Sequence, residues 1–365
     1  MLTLIKTKIM KKHNHLSMLA LGLILALASC KKSDDQVPVV TDGSKLAQVS
    51  ATNGTHLPFT VVTIAGDPKE TGFADGAGKQ ARFYYPFGID VTDDGTIYVA
   101  DFDNNKIRKI TPPDIVSTIN IPPASDGQIL RFPEYVRLSN NGNLNVLSQD
   151  GMRRVWILKP DGTLTTPLPP SPYGNSWAFY SGLQKDPSGD FLWFSQQYYR
   201  ASSTVTVPTS LKKFYLDANG RIGTNAFIPP RDSLSLPERD GDYSITSFFC
   251  GYNGVKYIVI NNNHIYKLTP EGEFTQIYKD LTFKHIFSLT GSKDSRVLYV
   301  ADNGAIKSIV NGKLQFLVGP QKYSVIAVDG VGSSANVTAH YLVLSKDESV
   351  LYFSDFTTIR KLLLK

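Results

Sequence analysis

The sequence predicts an all-β protein, and within that class a six-bladed β-propeller, on three observations. Apolar residues make up 42% of the chain, yet almost no segment carries a 3.6-residue hydrophobic period; short apolar runs alternate with turns rich in glycine and proline. One pattern of strand, polar bend and strand, first seen in "GTIYVADFDNNKIRKI" (95–110), recurs from Gly142, Gly189, Val255, Arg296 and Ser349. The last copy runs to Lys365 with no room for a fourth strand, while "FTVVTIAG" (59–66) precedes the first copy and has no blade of its own.

Taken in order, residues 1–29 read as a secretory signal and not as part of the fold. Lys6, Lys8, Lys11 and Lys12 precede an apolar run from Leu16 to Ala28 that is too short to span a bilayer. Those four lysines, with no acidic residue beside them, account for most of the formal charge of +6, so the mature chain is near +2. A basic isoelectric point is then no argument for a nucleic-acid partner. Residues 30–57 are polar and poor in large apolar side chains, as a flexible tether should be. Cys30 and Cys250 are the two cysteines; with Cys30 at the start of the tether, no disulfide framework or CxxC metal pattern remains.

Residues 58–365 hold the six copies. Each is preceded by a short apolar strand and a turn, such as "GIDVTDDG" from Gly88 or "VRLSNNG" from Val136, and most are followed by another β-rich run. Four short antiparallel strands cannot bury both faces alone, so the units must stack on one another, and six stacked radially close into a propeller. Residues 60–65 are expected to supply the outer strand of the last blade and so remove an open edge. A seventh blade could lie only in the long interval between 195 and 245.

The register places candidate site residues. In a propeller the start of each innermost strand and the loop between the second and third strands emerge at one end of the ring, the default ligand face. Aligned copies put Phe87, Glu134, Ser181, Thr246, His285 and His340 at one level there, and Asp101, Ser148, Ser195, Asn261, Asp302 and Asp355 at the ends of the second strands. The three aspartates read as caps on the bend that follows each of them. Glu134, His285 and His340 could hold a divalent metal or act as acid and base, or could be polar channel lining. The third copy gathers Tyr173, Trp177, Gln196, Gln197, Tyr198, Tyr199 and Arg200 in one sector. Such groups suit stacking on sugar rings or gripping a peptide, the bland alternative being that Trp177 and one tyrosine are blade core. No GxSxG, P-loop, HExxH or strand-to-helix GxGxxG motif occurs, and no cofactor is called for.

Three resemblances extend this reading. Leu27-Ala28-Ser29-Cys30 resembles the lipobox of bacterial lipoproteins, which implies cleavage before Cys30 and acylation of its thiol. "KKSDD" after it resembles signals that send lipoproteins of the Bacteroidetes to the outer surface. Val61 to Ile110 resembles the NHL repeat, with its TIAG, DGxGxxAxF, PxGI, YVAD and NNxIRKI segments in order. A second echo places Asp329 and Asp355 at the same spacing as Asp75 and Asp101. They imply an outer-membrane lipoprotein, facing the cell surface or the periplasm, with an NHL-type propeller, and the aromatic sector and the missing enzyme motifs make binding of a glycan or partner protein without catalysis the expected role. It would meet the membrane through its lipid anchor and bind no nucleic acid. The alternative they leave open is a lactonase-like hydrolase or lyase with a metal at the channel mouth; a third is a scaffold that only positions neighbours.

Overall fold

A computed structural model describes residues 57–149, 154–166, 180–189, 191–196, 199–200, 206–207, 209–216, 222–234, 243–321 and 326–365. They form six antiparallel sheets in a ring, each with four blade strands counted outward from the channel. Blade 1 comprises Pro86–Val91, Ile97–Asp101, Lys106–Thr111 and Ile115–Ile119. Blade 2 comprises Pro133–Leu138, Leu144–Ser148, Val155–Leu158 and Leu164–Thr165. Blade 3 uses Tyr180–Lys185, Leu192–Gln196, Ser210–Leu216 and Ile222–Phe227. Blade 4 uses Ile245–Cys250, Lys256–Ile260, His264–Leu268 and Phe274–Ile277, and blade 5 Ile286–Gly291, Val297–Asp302, Ala305–Val310 and Lys313–Val318. Blade 6 takes Leu342–Leu344, Val350–Ser354 and Thr358–Leu363 from the end of the chain and Thr60–Gly66 from its beginning.

The last pairing joins the two ends of the propeller. Thr60 lies opposite Leu363 and Gly66 opposite Thr358, with a bulge between Thr63 and Ala65. Two short strands then cover sheet edges that would otherwise be bare. Gly76–Ala77 pairs with the outer strand of blade 1, and Gly330–Val331 pairs with Thr60–Gly66 at the edge of blade 6. The long interval in the third copy carries the two outer strands of blade 3, with the hairpin Tyr199–Arg200 and Thr206–Val207 inserted before them. It leaves six blades and not seven.

Turn chemistry repeats with the blades. The connection from first to second strand contains the same tight turn each time, as in Gly95 N–H to Thr92 O at 3.0 Å, Gly142 to Ser139 at 2.9 Å and Glu348 to Ser345 at 2.9 Å. An Asp or Asn two residues into it accepts the N–H two residues on, Asp94 from Thr96, Asn141 from Asn143 and Asp347 from Ser349. These are Asx turns, which is why these short polar residues recur between the strands.

The core lies between blades. Ala100, Ile107, Val136, Val146 and Trp156 fill the space between blades 1 and 2; Val61, Ile306, Phe353 and Leu362 do so between blades 5 and 6. Adjacent inner strands touch all round the ring, blade 6 closing against blade 1. Gly88 shows how tight this is: a Cβ there would sit 2.6 Å from the Glu134 carbonyl of the next blade.

Candidate functional site

The inner strands set the channel's geometry, and in five of the six the register shifts near the start. The shifts fall between Pro86 and Ile89, Pro133 and Tyr135, Ser181 and Leu183, Ile245 and Ser247, and Ile286 and Ser288. Each inserts extra backbone into the inner strand, as a β-bulge does. Phe87, Glu134 and Thr246 sit at the shift as the sequence alignment has them, but the matching positions in blades 3 and 5 are Gly182 and Phe287, not Ser181 and His285. His285 and His340 both precede their inner strands. One inserted residue is enough to move a side chain to the other face, and a degenerate repeat gives no mark of the insertion.

At this end of the ring the side chains form an aromatic layer. Phe132 meets Phe102 at 5.4 Å between ring centroids, Phe102 meets Tyr85 at 6.2 Å, and Tyr85 contacts His340 at 5.4 Å and Phe356 at 6.0 Å. His285 packs on Phe287 at 4.3 Å, and Phe287 on His340 at 5.2 Å. The two histidines are thus joined through a phenylalanine. Burial among these rings holds the His340 imidazole down at about 4, so it is neutral at pH 7. Glu134 is buried, and among the described residues no three His, Cys, Asp or Glu side chains form a group able to hold a metal ion. Phe132, Phe356 and Tyr84 remain 39%, 36% and 47% exposed.

The strand-end aspartates cap backbone, mostly of a different segment from the one expected. Asp101 accepts the Tyr84 N–H at 2.9 Å, and Asp302 those of Lys284 and His285 at 2.8 Å; only Asp355 also caps its own bend, through Phe356 N–H at 2.8 Å. Each also faces a cation. Arg108 reaches Asp101 at 2.7 Å and Asp75 at 2.7 Å, and donates to the carbonyls of Ala74 and Arg82. Arg360 repeats this with Asp355 and Asp329 at 3.0 Å and the carbonyls of Asn336 and Val328. Burial pushes the Asp355 carboxyl up while Arg360 pulls it down, the upward effect prevailing. The sequence shows the shared spacing of Asp75 to Asp101 and Asp329 to Asp355, but neither that each pair meets nor the arginine that clasps it.

Deeper in the channel, side chains from non-adjacent blades meet across the axis. The Tyr135 ring of blade 2 lies 5.6 Å from Tyr341 of blade 6, and Gln184 of blade 3 donates to the Tyr341 hydroxyl at 2.9 Å. Arg137, also from blade 2, donates to the same hydroxyl and to the carbonyls of Ile89 and Val136 at 2.7 and 2.6 Å. Lys185 of blade 3 reaches Asp90 of blade 1 at 2.9 Å. These contacts form a plug, and beyond it, at the end opposite the aromatic layer, lies a cavity of about 340 Å³. All six blades line it. Its residues went unnoticed in the sequence, although a charged side chain close to the end of an innermost strand, as Asp90, Arg137 and Lys185 are, is a readable signal.

The inserted hairpin of blade 3 joins the second to the third strand, as the expected ligand sector does. Tyr199 and Arg200 form its first strand, and Gln196 ends the strand before it. Trp177, Tyr198, Tyr173 and Gln197 lie outside the described residues, as does Cys30.

The model of the NHL repeat matches residues 83–110, the segment that holds the inner strand of blade 1, Asp101 and Arg108. The chain is thus a six-bladed propeller that carries an NHL repeat in its first blade. No curated protein matches the sequence. The NHL propeller is similar in fold to a protein of unknown function from Bacteroides thetaiotaomicron, at 15% identity and a TM-score of 0.62, over 84% of this chain and 76% of that one. An auxiliary nutrient binding protein from Bacteroides ovatus is similar at 11% identity and a TM-score of 0.59, over 84% of this chain and 77% of the other. A gluconolactonase of Xanthomonas campestris is similar at 10% identity and 0.57, over 87% and 93%. At such identities the likeness is one of fold, and the NHL propeller's own surface has to supply any functional argument.

Proposed function

We propose that this NHL propeller is a lipid-anchored outer-membrane protein that binds a glycan or a partner protein on its aromatic face, with no chemistry of its own. The observation that carries this reading is the aromatic layer, in which Phe132, Phe102, Tyr85 and Phe356 run continuously across blades 1, 2 and 6 with their outer members exposed. Flat rings held rigid by their neighbours lose little entropy on binding and stack on sugar faces or fill pockets of a protein partner. A nutrient binding protein of similar fold is in keeping with it. The anchor rests on the sequence, through Cys30; among the described residues no helix is long and apolar enough to cross a membrane. Trp177, Gln196, Tyr198, Tyr199 and Arg200, with Glu134, His285 and His340, stay as the proposed ligand contacts.

The second reading, a lactonase-like hydrolase or a lyase, draws on the similar fold of the gluconolactonase and on the neutral imidazole of His340 at the channel mouth. A glycan array with the purified chain, paired with lactone hydrolysis measured with added divalent metal, separates the two. Glycan capture weakened about tenfold by Phe132→Ala or Phe356→Ala supports the binding reading; capture untouched by both variants, or turnover of lactone, overturns it.

A further inference from the structure

We propose that the blind cavity at the opposite end of the channel is a second binding site, for a neutral sugar the size of a mono- or disaccharide. The site is independent of the aromatic face, since the plug of Tyr135, Tyr341, Gln184 and Arg137 lies between them. Its volume of about 340 Å³ lies within the range of small-molecule pockets. The cavity is also formed by the ring and not by one loop, with lining residues on every blade, so the blade packing itself preforms it.

Ligand class follows from the charges. Asp90 is paired with Lys185 at 2.9 Å, Asp93 with Lys346, and Glu348 accepts the Lys293 backbone N–H at 2.6 Å. Around the lining Arg137, Lys185, Lys293 and Lys346 balance Asp90, Asp93, Asp186 and Glu348, leaving little net field to draw in an ion. They still offer hydrogen bonds. The Lys185 ammonium spends one N–H on Asp90, and both hydrogen bonds that reach Asp90, from Lys185 and from the Leu138 N–H at 2.8 Å, land on Oδ2. Oδ1 is left as an acceptor beside the ammonium donors, the juxtaposition that two neighbouring hydroxyls of a sugar satisfy together. Tyr252, 54% exposed, and the half-buried Phe249 supply the apolar surface on which a pyranose ring lays its C–H face.

The test is saturation-transfer NMR on the full-length chain with glucose, galactose, mannose and maltose, and with glycine and acetate as charged competitors. At least one sugar is expected to show transfer to its ring protons, weakened about tenfold or more by Asp90→Asn and by Tyr252→Ala but unchanged by Phe316→Ala on the exposed outer strand of blade 5. Tyr252→Ala removes an exposed ring, which keeps the test open should Asp90→Asn fail to fold. No sugar signal, displacement of the sugar by acetate or glycine, or equal binding by all the variants overturns the cavity site. A signal lost only in Phe132→Ala and Phe356→Ala overturns it as well, while leaving the aromatic-face reading standing.

Discussion

Arg108 and Arg360 are fully buried, and each is held by an aspartate at the end of the neighbouring strand and, from a loop far along the chain, by a second aspartate and two carbonyls. Removing one partner strands the other's charge in the blade, which costs far more than losing a surface pair. Asp101→Ala and Asp355→Ala are each expected to lower stability by about 3 to 5 kcal/mol in denaturant unfolding. That is well above the roughly 1 kcal/mol of a simple turn cap. A loss near that smaller value would show that the arginines relax to water. His340 makes a pH prediction. Above pH 6.5 its imidazole is neutral folded or unfolded; as pH falls towards about 4, the unfolded chain takes a proton that the buried ring refuses. Stability therefore falls through that window, by roughly 3 kcal/mol in all. His340→Phe, which keeps an aromatic among its neighbours, is expected to remove this part of the acid dependence in melts at pH 7 and pH 4.5.

Among the elements, Thr60–Gly66 has the longest reach, since it pairs with the final strand of the chain and carries the edge strand Gly330–Val331. It buries Val61, Ile64 and Ala65 in two of the inter-blade cores. Burial of Val61 and Ile64 alone contributes about 1.5 to 3 kcal/mol each. Deleting residues 58–66 should abolish cooperative unfolding or cause aggregation through the bared strand Thr358–Leu363, as read by circular dichroism and light scattering. A truncated chain that melts like its parent would mean that the ring holds without this closure.

For the whole molecule, the ring separates two ends of different character, an aromatic layer at one and a polar blind cavity at the other. If the lipid on Cys30 is the anchor, Cys30→Ser should leave the chain unlipidated and move it from the membrane fraction to the soluble one, as read by fractionation and by mass of the mature chain. Membrane association that survives the change would require another means of attachment.

The sequence by itself determined what repeats locally. Six strand–bend–strand units, the unpaired opening strand and the spacing of Asp75 to Asp101 and Asp329 to Asp355 are all short-range patterns, dictated by turn chemistry and the two-residue period of a strand. Only the tertiary structure decided which side chains meet. The inner-strand bulges exchange His285 for Phe287 at the level of Glu134, a change no degenerate repeat reveals. Arg108 reads as an ordinary residue of "NNKIRKI" until Asp75, thirty-three positions away, closes on it. The cavity is further removed still: Asp90 and Lys185, or Gln184 and Tyr341, become neighbours only when six blades close a circle, because contacts across a channel are set by ring closure and leave no trace along the chain.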